Sequence, residues 1–443
     1  MDFFLFILVN ATLFIRPSEL IPELAEIPIY NILIVLNLAV AFPNLVNQFQ
    51  PGRFAREPVT ACVLGMIPAV MLSHLNHFDF FSARMEAFEL SKIIAYYFLL
   101  LAVLNSTQRL RMFLQIIAVF AAINCLVAVL HHYKIIHVPA LEIAEKIAQA
   151  EMEFDAGTGQ LMTDVRLRAT GIFNDPNDLS TITVVGILIG LFGCGDSRLG
   201  AWRWAWVVPI GIFFLAFALT QSRGGLLALA AALATFSYVR FGLKKTVVVA
   251  LLVAPAIVAM LGGRQLSLGE GMNKGTGSER LELWRDALDL FKGAPVFGIG
   301  SGNFMDEVRK VAHNSYVQCF AELGFVGGTV FLGTVWFALV GLNNIRRLLR
   351  SGQYLPVSAE YRRLLPYLLA IVAGYAVSIY SISRQFVIPT YMILGIANTY
   401  FLIGMCAGLP SPVVLDMRRI RQLIFVSAGL LVLIRLQIRF QLG

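Results

Sequence analysis

The chain of 443 residues carries apolar runs again and again. About twelve of them approach the roughly 20 residues that one helical crossing of a bilayer needs. This feature constrains the fold most, because backbone inside hydrocarbon must satisfy its own hydrogen bonds. The runs fall near 2–15, 27–48, 58–74, 92–105, 111–131, 178–195, 203–220, 224–240, 246–262, 314–342, 364–383 and 386–408. A further stretch at 423–434, followed by Arg435 and Arg439, reads as a thirteenth crossing or an interfacial helix. The expected class is an all-α polytopic membrane protein, with residues 1–443 forming one transmembrane domain. Composition agrees: 58% of residues are hydrophobic and 14% charged, against roughly 45–50% and about 25% in soluble domains.

The net charge of +8 does not require a nucleic-acid partner, because the basic residues have a topological explanation. Arg53 and Arg56, Arg109 and Arg111, Arg198 and Arg203, Arg240 with Lys244 and Lys245, Arg346 through Arg363, and Arg418 through Arg421 fall on alternate connections. Positive residues mark the cytoplasmic side, so the N-terminus is expected inside and the long loops 134–177 and 263–312 outside. Met1 to Ile15 has no basic leader segment and no small-residue cleavage site, and reads as a first span. The cysteines lie in apolar stretches without metal-type spacing, which predicts neither a disulfide nor a zinc site.

The first long loop contains Pro139-Ala-Leu-Glu-Ile-Ala-Glu-Lys-Ile-Ala-Gln-Ala-Glu-Met-Glu-Phe154. Proline at a first helical position, with Leu141, Ala144, Ile147 and Ala148 on one face, predicts a short amphipathic helix. The second loop opens with a glycine-rich stretch, 262–277. Ser278 is the expected N-cap of an amphipathic helix, Glu279–Lys292, whose apolar face is Leu281, Trp284, Leu288 and Phe291. An irregular glycine-rich turn, 293–303, follows.

His313 stands where this loop re-enters the apolar run. A neutral imidazole with an ordinary pKa near 6.5 can accept a proton at physiological pH, and a helix N-terminus disfavours its charged form. The bland alternative is a boundary histidine hydrogen-bonded to a loop. Asn314 is placed to orient a substrate hydroxyl. Glu322 lies nine residues on, off the face of His313, so a direct dyad is not expected; a structural hydrogen-bonding role is. Gly324, Gly327 and Gly328 suit close helix packing. Five arginines, Arg166, Arg168, Arg223, Arg280 and Arg384, fall on outward turns or span mouths and suit a di-anionic headgroup such as a diphosphate. No Asp-x-Asp or His-x-x-x-His pattern accompanies them, so no metal and no cofactor is expected. The run Gly298-Ile-Gly-Ser-Gly302 lacks the Lys-Ser/Thr of a phosphate loop.

His313-Asn-Ser-Tyr-Val-Gln-Cys-Phe-Ala-Glu-Leu-Gly-Phe-Val-Gly-Gly328 resembles the signature of the O-antigen ligase and O-antigen polymerase superfamily. Three segments match in order: Arg168-Ala-Thr-Gly-Ile-Phe-Asn-Asp-Pro-Asn-Asp-Leu179, Leu219-Thr-Gln-Ser-Arg-Gly-Gly225, and Arg280-Leu-Glu-Leu-Trp-Arg-Asp-Ala-Leu288 running into Gly298–Phe304. The resemblance covers about residues 165–340. It implies a C-type glycosyltransferase-like membrane enzyme, metal-independent and inverting, in the bacterial inner membrane with its active site facing the periplasm. The implied donor is a glycan on undecaprenyl diphosphate. The implied acceptor is a lipid A–core sugar in ligases or another lipid-linked repeat in polymerases. By motif position the essential histidine falls on His313 and the essential arginines on Arg223 and Arg280, with Arg168 and Asn177 in the donor-side motif. The chain departs in having Val317 and Cys319 where larger aliphatics are usual. Its segment Arg16–Glu23 lacks the aspartate of metal-dependent C-type enzymes.

The expected function is therefore en bloc glycan transfer, with His313 as general base, Arg223 and Arg280 stabilising the leaving diphosphate, and Arg168, Asn177, Asn314 and Arg384 binding substrate. Besides donor and acceptor, the expected partners are membrane lipids. The alternatives are a polymerase and an anion or polysaccharide transporter. A transporter should place polar residues through the full membrane depth and show internal repeats, whereas here they gather at one side. A purely structural assembly partner leaves His313 and the arginines unexplained.

Overall fold

A computed structural model describes residues 1–24, 26–49, 52–146, 166–248, 250–251, 276–352 and 357–442. It is 81% helical, without a strand among the described residues, and is all-α and polytopic as expected. Nine helices among the described residues are long and apolar enough to cross a membrane, against about twelve expected runs. The expected run 2–15 forms Asp2–Phe14, only 13 residues long. The run 92–105 covers the second half of Phe80–Val103 and begins on Lys92, while the first half carries Arg84, Glu86 and Glu89. The run 364–383 begins in Ala359–Ser378, which opens on Glu360, Arg362 and Arg363, and runs past its end into the following turn. Most of 246–262 lies outside the described residues. The stretch 423–434 is the middle of one helix, Met417–Leu442.

Two compact units divide the chain, one made of 1–41 with 108–265 and the other of 42–107 with 266–443. In the first, the most enclosed helix is α1 (Pro176–Cys194), buried along nearly its whole length. Its Gly186, Gly190 and Gly193 receive Phe213, Ile210 and Trp206. Glycines at this spacing let two apolar helices approach until side chain meets backbone, which is how helices associate where no water is left to exclude. Phe213 and Ile210 belong to α2 (Val207–Thr220), which leads into α3 (Arg223–Phe241) through the turn at Gln221–Ser222. Elsewhere in this unit Arg109 pairs with Asp2 at 2.9 Å. Residues 139–146 are helical, with Leu141 and Ala144 buried as their spacing predicts. Ile147 and Ala148 lie outside the described residues.

In the second unit, α4 (Pro58–Leu75) packs against α5 (Ser315–Arg350); a Cβ added at Gly65 would meet Val330, and one at Gly333 would meet Cys62. The amphipathic loop helix is α6 (Thr276–Gly293). Leu281, Trp284 and Leu288 are buried in one apolar cluster with Ala312, Val317, Ala321, Ile434 and Ile438, so the face rests on protein. The side chain of Ser278, the expected cap, lies outside the described residues. The last elements are α7 (Ala359–Ser378), α8 (Ile388–Cys406) and α9 (Met417–Leu442).

One expected span is interrupted. At Gly324, φ is 65° and ψ is −167°, and the helical path of α5 breaks. In an unbroken helix Phe325 and Val326 would donate to Ala321 and Glu322. Here Ile299 and Gly300 donate to those carbonyls at 3.1 and 3.0 Å, while Phe325 and Val326 donate to Pro295 and Val296 at 2.8 and 3.2 Å. The loop 295–300 thus satisfies all four groups the break exposes, the condition under which non-helical backbone persists among apolar surroundings. Gly324, expected to serve helix packing, instead supplies a backbone conformation open to glycine and almost nothing else. Gly298 sits so close to the Glu322 backbone that a Cβ there would collide with it. From the other side, Ser73 Oγ accepts from Ser301 N at 3.2 Å, and His77 Nε2 lies 2.9 Å from the Gly298 carbonyl.

Candidate functional site

The candidate residues form two groups, one in each unit. In the first unit, Asn177 Oδ1 accepts from Arg166 Nη2 at 3.2 Å and from Ser222 Oγ at 2.8 Å. Arg166 Nε donates to the Thr220 carbonyl at 2.9 Å, and Leu167 N donates to the Leu219 carbonyl. The segment 166–169 is therefore laced to the α2–α3 turn. Ser222 caps α3 by accepting from Gly225 N at 3.0 Å, which places Arg223 in the first turn, exposed, at the positive end of the helix. Arg168 is half-buried and donates to the Asn174 carbonyl at 3.2 Å. Asn177 itself is buried. Its side-chain oxygen is engaged in joining the two segments, a role its sequence position did not announce.

In the second unit, His313 is a non-glycine residue in the left-handed region, with φ at 50°. Such a conformation persists only where the surroundings over-determine it, and it gathers at functional positions. The surroundings here are specific. On the N-terminal side, Trp284 Nε1 donates to the buried Ala312 carbonyl at 2.8 Å, and Lys310 pairs with Glu279 at 2.6 Å. Both anchors sit on α6 and flank Arg280, which lies one helical turn before Trp284 on the same side. The helix turn bearing Arg280 is thereby held against the segment bearing His313.

On the C-terminal side, Asn314 is the N-cap of α5. Its Oδ1 accepts from Tyr316 N at 3.1 Å and Val317 N at 3.2 Å, while its buried Nδ2 has no hydrogen-bond partner among the described residues. Any ligand contact by Asn314 would thus use the amide donor. Ser315 N donates to the Ile379 and Ile382 carbonyls, both at 2.9 Å. Ser315 Oγ donates to the Ile382 carbonyl at 2.7 Å and accepts from Arg384 N at 2.8 Å. The turn after α7 is thereby fastened beside His313, and it brings half-buried Arg384 to the same end of the unit. Thr390 Oγ1 donates to the Arg384 carbonyl.

Within the second unit, then, His313, Asn314, Arg280 and Arg384 are gathered by their neighbours. The sequence gives none of the residues that gather them, Trp284, Glu279, Lys310 and Ser315, a part in holding the site. Trp284 was visible only as an apolar-face residue, although its indole N–H is a directional donor that a buried tryptophan normally satisfies. Among the described residues no group of three or more His, Cys, Asp or Glu side chains is close enough to hold a metal ion.

Residues 208–332 match the family described as O-antigen ligase. The matched stretch holds Arg223, Arg280, His313, Asn314 and Glu322. No curated protein matches the chain.

Proposed function

We propose that this chain, which carries an O-antigen ligase domain and so stands in the O-antigen ligase and polymerase superfamily, transfers a glycan en bloc from undecaprenyl diphosphate to an acceptor sugar hydroxyl. His313 takes the hydroxyl proton, the oxygen attacks the anomeric carbon with inversion, and the bond from that carbon to the diphosphate oxygen breaks. Arg223 and Arg280 stabilise the charge that develops on the leaving diphosphate, a transition-state contribution of the kind fixed cations supply without a metal. Arg168 and Arg384 hold the donor, Asn177 fixes the Arg166 segment, and the Asn314 amide donates to a substrate oxygen. On this reading the transfer runs at the periplasmic face of the bacterial inner membrane.

The observation that carries this reading is the left-handed His313, pinned through Ala312 and Ser315 beside the Arg280 turn. His313 directly precedes Asn314, the N-cap of α5, and a neutral imidazole there would serve as the base. The deciding experiment incubates purified protein with lipid-linked glycan, with and without a lipid A–core acceptor. One product that requires the acceptor identifies the ligase reaction proposed here. A ladder formed without it identifies a polymerase. Uptake of substrate into proteoliposomes with no glycan product would overturn the transferase reading in favour of transport.

A further inference from the structure

Glu322 is the one buried carboxyl group among the described residues of the matched stretch, and the mechanism above does not use it. It is completely buried at 0% exposure, about two turns into the short half-helix that follows His313. A carboxyl group at such a place costs free energy unless it has a task. Its contacts reach three segments. Gln318 Nε2 donates to Glu322 Oε1 at 2.8 Å along the half-helix. The Gln385 side chain and the Gly302 backbone lie beside the same carboxyl group. The Glu322 carbonyl accepts from Gly300. Gln385 directly follows Arg384, whose N–H is held by Ser315.

The unsatisfied atoms at this junction are of one kind. Glu322 Oε2, Gln318 Oε1 and Gln385 Oε1 are all buried without a hydrogen-bond partner among the described residues. Each is an acceptor, so what the junction lacks is a donor. A carboxyl proton or a carboxamide N–H would supply one.

We propose that Glu322 is a positioning residue: it ties the half-helix after His313 to Gln385 and so fixes the turn that sets Arg384 beside Ser315. The inference rests on the transfer reaction proposed above for its catalytic consequence, but not for its structural one. The carboxyl group acts as a hydrogen-bonding strut, and its charge is not required.

The test measures both consequences on the full chain in detergent or nanodiscs. Amide exchange across residues 381–386 is expected to accelerate about tenfold in Glu322→Ala, the equivalent of one lost buried hydrogen bond, and to stay at the wild-type rate in Glu322→Gln. Gln385→Ala, at the edge of the junction, should reproduce the acceleration and serves where Glu322→Ala does not fold. In the transfer assay Glu322→Ala and Arg384→Ala should each lower kcat/KM, and the double variant should be no worse than the worse single, because both act through one turn. Glu322→Gln should restore turnover. Unchanged exchange in both alanine variants, or a Glu322→Gln as impaired as Glu322→Ala, would overturn the proposal. Loss of the transferase reading shows up separately, as absence of product from wild-type protein, and leaves the exchange result to decide the positioning role.

Discussion

Trp284→Phe is the most informative substitution for the positioning of His313, because it alters none of the groups assigned to chemistry. It keeps an aromatic ring against Tyr380, whose ring lies 5.3 Å from that of Trp284. It deletes the indole donor and leaves the Ala312 carbonyl, at 0% exposure, without the donor that holds it. Stranding a buried acceptor costs about 1–3 kcal/mol. The other anchor of this segment, Lys310–Glu279, is 44% and 43% exposed, and pairs of that kind contribute about 0–1 kcal/mol. Trp284 therefore dominates. If the lost energy is what keeps His313 in its left-handed conformation, the productive population falls about 5- to 150-fold. Steady-state transfer kinetics on purified Trp284→Phe should show kcat reduced in that range, with donor KM changed far less. A variant that kept wild-type kcat while remaining folded would refute the claim that the Ala312 clamp positions the base.

Asn314→Asp preserves the capping oxygen and should keep thermal stability near wild type while lowering transfer, since it removes the amide donor; Asn314→Ala should also lose about 0.5–2 kcal/mol of helix stability in thermal melts. Gly324→Ala should lower the melting temperature or abolish folding: its backbone conformation costs a non-glycine residue about 1–3 kcal/mol, and its Cβ would collide with the Val296 backbone. Asn177→Leu, which breaks the link from Arg166 to Ser222, should raise donor KM through loss of the order around Arg223, measured against a series of donor concentrations.

Much of this architecture is legible in the sequence, because apolar runs in a bilayer leave few options beyond helices. Pro58–Leu75, Thr107–His132 and Ile388–Cys406 lie within a few residues of the runs that predict them. The amphipathic face of Thr276–Gly293 is also legible, since Leu281, Trp284 and Leu288 repeat at helical spacing. What the pattern hides is the break at Gly324. A glycine inside an apolar run reads equally as a packing contact, and only the distant loop 295–300 reveals that the helix opens there. That loop looks like a weak phosphate motif until the backbone N–H groups of Ile299 and Gly300 are seen to donate to the broken helix. Asn314 and Asn177 show a similar limit. Their motif positions suggest ligand contacts, while their side-chain oxygens are engaged in capping and in joining segments.

The central claim is that His313 acts as the base in glycan transfer, and His313→Asn tests it most directly. Asparagine tolerates the left-handed backbone at this position better than alanine, so the substitution removes the base with the least disturbance of the segment. Release of undecaprenyl diphosphate from lipid-linked glycan, with acceptor present, is the quantity to follow. The account predicts a fall of about 10²–10⁴ in rate with the fold intact. Release at the wild-type rate from folded His313→Asn protein would contradict it.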